Sequence, residues 1–322
     1  MPTPKHAAQR ILCLYTGGTI GCVASEHGLS PAANILRSPI LAMAAQHGVE
    51  IDYLEYAKLL DSSAMTPQDW LRIALDIDQH YADFDAFIIL HGTDTLAWTA
   101  AALHWQLGSS QKPIILTGSQ RPWLHELSDA PANFALALRV ACDARGGVMV
   151  AFGGQILPAY AVKKLDADAD QAFAAPNWSG QWPVSHSHRY QIRRVNADLN
   201  ILAIKLYPAC ETWLAANLAH TECDAIVVEC YGSGNLPDSQ PLHAALRQVA
   251  ARGTIIVTAS QCIAGEIRQG HYSAGDIMQE IGALPAGRLS VEAAVTRLYT
   301  LLPQRLSKED WLKLWQNDGL ML

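Results

Sequence analysis

Two short apolar runs that each break off at glycine constrain this chain more than any other feature. Ile11-Leu12-Cys13-Leu14-Tyr15 runs into Thr16-Gly17-Gly18-Thr19-Ile20-Gly21, and Phe87-Ile88-Ile89-Leu90 stops at His91-Gly92-Thr93-Asp94-Thr95. Short Ile/Leu-rich runs bracketed by helical patterns read as buried parallel strands. Open α/β sheets gather ligands outside the carboxyl ends of their strands. The pair therefore predicts a sheet that delivers two threonines, Thr19 and Thr93, to one edge.

The rest of the chain fits that frame. Thr66-Pro67 with Asp69 is a helix start, proline standing at the first helical position. The helix it opens carries Trp70, Ile73, Ile77 and Tyr81 on one face. A helix is expected over Pro39–Gln46, an extended stretch over Val49–Leu54, a helix over Leu96–Leu107 and a strand over Pro113–Leu116. Asp129 is expected to cap a helix through Cys142, followed by a strand over Val148–Phe152. Ala24 to Pro31 reads as a polar loop, and Tyr160 to His188 as irregular. A second series of strands follows at Ile201–Tyr207, Asp224–Cys230 and Thr254–Thr258. Ser290 opens a further helix, and Ser307 with Asp310 forms a capping box for the last one. Alternating βα units in both halves imply two doubly wound, largely parallel α/β domains. The expected boundaries are a catalytic domain over 1–190, a linker over 191–200 and a second domain over 201–322.

Composition narrows the class. With 322 residues the chain can bury roughly three-quarters of its unfolded surface. Half the residues are hydrophobic and 16% charged, the pattern of a globular protein. A net charge of -7 without basic clusters argues against a nucleic-acid partner. No basic-then-apolar leader opens the sequence, and no apolar run approaches the ~18 residues that span a bilayer. Seven cysteines without a Cys-x-x-Cys pair read as buried reduced thiols, so the expected location is cytoplasmic.

Paired glycines at Gly17-Gly18 let a backbone approach a ligand and aim consecutive N–H groups at one point. The turn lacks both the Gly-Lys-Ser/Thr of a phosphate loop and the third glycine of a dinucleotide fingerprint. It offers the Thr19 hydroxyl beside backbone donors, which suits attack on a carbonyl with an oxyanion site alongside. Taken singly, each of these features has a plainer explanation. The turn can be only a turn, Asp94 can cap the helix at Leu96, and Asp61-Ser62-Ser63 can be a capping cluster. His186-x-His188 has no carboxylate or cysteine partner at metal-site spacing, so no metal is expected. Gly232-x-Gly234 fails as a nucleotide loop at Asn235-Leu236-Pro237, and the scattered tryptophans, Trp70, Trp98 and Trp105 among them, read as core.

TGGTI at 16–20, DSSAM at 61–65, HGTDT at 91–95 and TGSQRP at 117–122 together resemble the L-asparaginase family, in its cytoplasmic type I bacterial branch. The resemblance extends over nearly the whole chain, including Tyr231-Gly232-Ser233-Gly234-Asn235. It implies a two-domain amidohydrolase without a cofactor, acting on L-asparagine as a homodimer or dimer of dimers. Thr19 resembles the first nucleophile. Thr93, Asp94 and Lys164 resemble the second catalytic group, with the lysine shifting protons and Thr93 helping water to attack. Asp94 also resembles the residue that grips the substrate's α-ammonium. Ser62 resembles the one that holds its α-carboxylate, and Ser63 is counted with it as substrate-binding. Ser119 matches a position beside the scissile amide. Lys163 adjoins Lys164, and whichever lysine is buried is the one expected to serve.

One position departs from the family pattern. Relatives carry a tyrosine on the loop that closes over the nucleophile, and the position in register here is Leu29. Ser25 or Ser30 can fill in, or Lys164 acting through Thr93 can do the activation, or activity is reduced, and the second is the reading adopted. A broader asparaginase-glutaminase is the close alternative. A catalytically feeble amino-acid sensor is the alternative from another class. A tRNA-dependent amidotransferase subunit shares the implied fold, but usually carries an extra N-terminal domain.

Overall fold

The computed structural model describes residues 9–26, 28–143, 146–182, 190–268, 276–304 and 308–317. The chain divides into two compact units. One comprises Met1–Ala175 and Val184–Arg194, the other Pro176–Pro183 and Val195–Leu322.

The first unit is built on β1 (Arg10–Gly17), the hairpin β2 (Cys22–Ser25) and β3 (Gly28–Pro31), α1 (Arg37–Gln46) and β4 (Glu50–Leu60). It continues with α2 (Pro67–His80), β5 (Ala86–Leu90), α3 (Leu96–Leu107), β6 (Pro113–Thr117), α4 (Ala130–Asp143), β7 (Gly147–Phe152) and β8 (Gln155–Pro158). A two-stranded pair, β9 (Lys163–Lys164) with β10 (Phe173–Ala174), completes it. The main sheet has the order β4-β1-β5-β6-β7-β8. All its pairings are parallel except β7 with β8. From β1 the chain first steps to β4, then returns to β5 on the other side of β1. The strand order therefore reverses between β1 and β5, and the crevice at such a reversal is where sheets of this kind hold ligands.

Burial explains why these runs are strands. Ile11 to Tyr15, Phe87 to Leu90 and Ile114 to Leu116 are each 3% exposed or less. Strands covered on both faces must be apolar at every position rather than alternately. The core joins Leu12, Leu14, Phe87, Ile89, Ile114 and Val150 to Ile73, Ile77, Leu96, Leu103 and Leu107 from the helices. The expected helix start at Thr66-Pro67 is held by the Asp69 carboxylate, which accepts from the Thr66 N–H and from its hydroxyl, both at 2.8 Å. Asp129 behaves differently from the expectation. Its carboxylate accepts from the backbone N–H groups of Gln120 and Arg121, at 2.9 and 3.0 Å, rather than serving the first turn of α4 alone.

The second unit holds β11 (Ile201–Lys205), α5 (Glu211–Leu218), β12 (Ala225–Cys230), α6 (Gln240–Ala251) and β13 (Ile255–Ser260). It ends with α7 (Asp276–Glu280), β14 (Leu284–Pro285), α8 (Val291–Leu301) and α9 (Lys308–Asn317). Its four strands run in the order β11-β12-β13-β14, all parallel. Ser290 caps α8 through Ala293 N–H at 3.2 Å. The expected Ser307 cap and the His186-x-His188 pair lie outside the described residues.

Two sequence readings change. The loop over Ala24–Pro31 is part of the β2–β3 hairpin, with Ala24 opposite Leu29 and Ser25 opposite Gly28. The stretch read as irregular holds β9 and β10, and β8 lies just before it. Among the described residues, no helix is long and apolar enough to cross a membrane.

Candidate active site

Four neighbouring strands of the first unit, in the order β4-β1-β5-β6, release their loops at the same sheet edge. Tyr15 stands opposite Leu90, Gly17 opposite Leu60, and Leu90 opposite Thr117. The registers bring Asp61–Ala64, Thr16–Thr19, His91–Thr95 and Gly118–Gln120 side by side. Hydroxyls stitch the strand ends together. Thr16 Oγ1 donates to Leu90 O at 2.8 Å, and Thr117 Oγ1 to Ala151 O at 2.7 Å. His91 N–H donates to Thr117 O at 2.9 Å.

Thr19 opens a 3-10 turn over Thr19–Gly21, half-buried and unlike its neighbours Ile20 and Gly21, which are fully covered. Backbone hydrogen bonds hold the turn from three sides. Gly21 N–H reaches Gly18 O at 3.2 Å, Ala32 N–H reaches Gly21 O at 2.9 Å, and Trp123 N–H reaches Ile20 O at 2.9 Å. Gly18 sits at φ +94°, and a Cβ on it would overlap the backbone of Gly92. The Thr19 turn and the His91–Thr95 loop are thus packed main chain to main chain, with no side chain between them.

The second cluster forms around Lys164. Its Nζ donates to Thr93 Oγ1 at 2.9 Å and to Asp94 Oδ1 at 3.1 Å. The Lys164 side chain is 19% exposed and that of Asp94 62%. Lys164, the second residue of the Lys163–Lys164 pair, is the one that reaches Thr93 and Asp94. Asp94 therefore meets a lysine, and no side-chain cap forms at the start of α3. Asp61, by contrast, is a local cap, accepting from Ser63 N–H at 2.9 Å. Ser62 is 4% exposed, its carbonyl taken by Thr95 Oγ1 at 2.7 Å, and a Cβ on Gly92 would overlap its side chain. Ser63 is exposed. Ser119 is 1% exposed and donates to Arg121 O at 2.5 Å. Ser62, Thr93 and Ser119 are thus buried polar groups at this sheet edge, whereas Ser63 and Asp94 are exposed.

His91, inside the HGTDT motif, is fully covered, with Nδ1 2.7 Å from Gly92 O. Burial drives its pKa down to about 4, although the Gly92 carbonyl favours the charged form. The imidazole is neutral at neutral pH, so Nδ1 carries the proton that it donates to Gly92. It is a support under the loop rather than a base at the surface of the site. Tyr15 is also fully buried, stacked on Tyr53 at 6.4 Å between ring centroids, and its hydroxyl abuts Gly21 from beneath the turn. Leu29 is 57% exposed on the hairpin, and Ser25 Oγ donates to Gly28 O at 2.6 Å.

Sequence reasoning passed over Gln120. Its Oε1 accepts from Thr93 Oγ1 at 3.3 Å, while its Nε2 donates to Ala167 O and Ala169 O at 3.0 and 3.1 Å. The TGSQRP motif contains this residue, but the carbonyls that fix it come from more than forty positions downstream. No local pattern announces that contact. The same downstream stretch alternates acidic residues at Asp166, Asp168 and Asp170, and two of their carboxylates hold it in place. Asp166 Oδ1 accepts from the N–H groups of Asp168 and Ala169, both at 2.8 Å, and these bonds hold its carboxyl below the usual range. Asp170 pairs with Arg121 at 2.6 Å. Among the described residues, no group of three or more His, Cys, Asp or Glu is arranged to hold a metal ion.

Residues 10–194 match the family described as Asparaginase, N-terminal, and residues 200–314 match the Glutaminase/Asparaginase C-terminal domain. The chain is 35% identical over 315 residues to L-asparaginase 1 of Escherichia coli, which spans 93% of both proteins. Its fold superposes on L-asparaginase I from Vibrio cholerae with a TM-score of 0.89 and 33% identity, covering 98% of this chain and 100% of that one. The thermostable L-asparaginase from Thermococcus kodakarensis follows at a TM-score of 0.87 and 28% identity, over 98% and 99% of the two chains. With both halves matched and the identity sustained along nearly its full length, the chain belongs to the L-asparaginase family of hydrolases, on its type I side.

Proposed function

We propose that this enzyme hydrolyses L-asparagine to L-aspartate and ammonia through a β-aspartyl ester on Thr19. The observation that carries the reading is the contact of Lys164 Nζ with both Thr93 Oγ1 and Asp94 Oδ1, in the loop packed against the Thr19 turn. A hydroxyl in contact with a lysine, beside a second half-buried hydroxyl, is an arrangement suited to two successive acyl-transfer steps.

In the first step Thr19 Oγ attacks the side-chain amide carbon, and backbone N–H groups near Gly18 and Thr93 receive the developing oxyanion. The Thr19 hydroxyl proton passes to the amide nitrogen, the C–N bond breaks and ammonia leaves. In the second step water, held by Thr93 with Lys164 behind it, cleaves the ester and frees Thr19. Asp94 takes the α-ammonium of the substrate, Ser62 and Ser63 its α-carboxylate, and Ser119 lies beside the reacting amide. Loss of one oxyanion donor in such a site costs about 10²–10³ in rate. The chemistry needs no cofactor and no metal.

Asparagine and glutamine differ by one methylene, worth about 1–3 kcal/mol in a pocket. A broader asparaginase-glutaminase activity is therefore the nearest neighbour of this proposal. Assembly as a homodimer or dimer of dimers, and residence in the reducing cytoplasm, belong to the same reading. All seven cysteines are free thiols, in keeping with such a compartment, although Cys142 and Cys223 are half-buried and Cys262 is exposed.

The deciding experiment is ammonia release from the purified protein with asparagine and then glutamine, beside Thr19→Ala and Lys164→Met. Turnover of asparagine abolished by both substitutions is expected. Thr19→Ala retaining more than about a twentieth of wild-type activity would sink the nucleophile assignment, because loss of a covalent nucleophile removes far more. No turnover, together with a melting temperature raised by asparagine, would point instead to a sensor that binds without reacting.

A further inference from the structure

We propose that Gln120 is a positioning residue that fixes the direction of the Thr93 hydroxyl proton and so prepares Thr93 to hold the attacking water. The inference rests on the reading of Thr93 and Lys164 given above and extends it to a side chain outside that set.

A lysine ammonium can only donate, and a hydroxyl has one proton and two lone pairs. Lys164 Nζ lies 2.9 Å from Thr93 Oγ1 and occupies one of those lone pairs. The single Thr93 proton must therefore go elsewhere, and Gln120 Oε1 stands 3.3 Å away to receive it. One lone pair of Thr93 remains, and it can only accept. A water bound there hydrogen-bonds one of its protons to Thr93 and keeps its own lone pairs for the ester carbon; the proton it sheds returns to Thr19 Oγ as the ester C–O bond breaks. Were the Thr93 proton free to turn, it would bond to a lone pair of the water and blunt the nucleophile.

Gln120 can serve this way only if its amide cannot flip, and the structure supplies the lock. Both Nε2 protons are used, on Ala167 O and Ala169 O at 3.0 and 3.1 Å. A flipped amide would set Oε1 against two carbonyl oxygens and lose both bonds. Each side of the lock is anchored by a carboxylate. Asp129 accepts from the backbone N–H groups of Gln120 and Arg121 at 2.9 and 3.0 Å. Asp166 accepts from Asp168 and Ala169 N–H, both at 2.8 Å, and shapes the turn that carries the two carbonyls. Two separate turns thus converge on one amide whose remaining atom faces Thr93. A glutamine that served only to tie the 166–169 turn to the sheet would have no need to present its oxygen to that hydroxyl.

The test compares wild type, Thr93→Val and Gln120→Met with asparagine as substrate. Gln120→Met keeps the length of the side chain and removes the acceptor. The expected result is a kcat lower by about 10–100-fold, the scale on which misorientation of a reacting group acts, with KM within about threefold. The slow step is then attack by water, so rapid acid quenching and intact-protein mass measurement should find aspartyl-enzyme accumulating in Gln120→Met. Hydroxylamine, a stronger nucleophile less dependent on orientation, should restore turnover as the hydroxamate. A merely structural loss would slow both half-reactions together, with no ester and no rescue. That pattern, or a kcat within twofold of wild type, overturns the proposal. Gln120→Leu, equally without an acceptor, is measured the same way if Gln120→Met does not fold. Thr93→Val working at the wild-type rate, or a wild type without turnover, would instead remove the functional reading beneath it, so the two failures are distinguishable.

Discussion

Gly18 and Gly92 meet backbone to backbone, and neither position has room for a Cβ. The contact joins the loop after β1 to the loop after β5 at the point where the strand order reverses. Gly18 also needs φ +94°, which costs an ordinary residue of order 1–3 kcal/mol. Gly18→Ala is therefore expected to lower the melting temperature and to push the Thr19 turn off the His91–Thr95 loop. Activity should fall at least about 100-fold, since a displacement near 1 Å in such a site costs that much. Gly28→Ala is the control, because that glycine has comparable φ and open space around it. It should show the backbone strain without the loss of activity. Equal losses in the two variants would mean that strain, and not the Gly18–Gly92 contact, sets the site.

The two adjacent lysines should separate cleanly. Lys164 bridges Thr93 and Asp94, whereas Lys163 precedes it in the same two-residue strand, where neighbouring side chains point to opposite faces. Lys164→Met is expected to reduce kcat by about 10²–10⁴, the range for loss of a proton-handling group. Lys163→Met should leave kcat within about threefold. The pair is measured by steady-state ammonia release. A large loss at Lys163 with a small one at Lys164 would reverse the assignment.

How much of this was legible beforehand depends on how local each cause is. Leu96–Leu107 has the same bounds in the sequence reading and in the structure, because its start follows the polar break His91-Gly92-Thr93-Asp94-Thr95 and its residues are mostly apolar. The β2–β3 hairpin escaped notice because Cys22 to Pro31 is polar and short, without alternation deep enough to mark strands. β8 is an edge strand of four residues and β9 has two, lengths at which periodicity carries no signal. The choice between Lys163 and Lys164 needed the pairing of β9 with β10, which sets which lysine faces Thr93. Gln120 needed more still, the return of a distant turn to the end of β6. What the motifs could mark was the strand ends. What they could not mark was the layer of side chains that holds those ends in place.

His91 gives a prediction in pH. Burial holds its pKa near 4 in the folded chain, against an ordinary value of 6.5 when exposed. The folded state thus binds fewer protons than the unfolded state between these values. Stability from the neutral imidazole is complete above about pH 6.5 and is lost as pH falls toward 4. The shift corresponds to about 3 kcal/mol at most. Denaturant melts of wild type and His91→Gln across pH 4 to 7 should show the wild type losing stability more steeply on the acid side. Parallel curves would mean that His91 is solvated or charged in the folded protein.

Leu29 tests how the chain manages without a hydroxyl at that position. Its side chain is 57% exposed on β3, and Ser25, across the hairpin tip, donates to Gly28 O. If activation runs through Lys164 and Thr93, Leu29→Ala should leave kcat within about threefold, and stability within about 0.5 kcal/mol as for most exposed positions. Leu29→Tyr supplies the missing hydroxyl at the same place and should raise kcat little, because the lysine route already operates. The pair is run in the ammonia assay under saturating asparagine. A loss above tenfold in Leu29→Ala would assign the hairpin an apolar closing contact over the site. A gain above tenfold in Leu29→Tyr would show that the lysine route is the weaker of the two, and that this chain works below the rate its own scaffold permits.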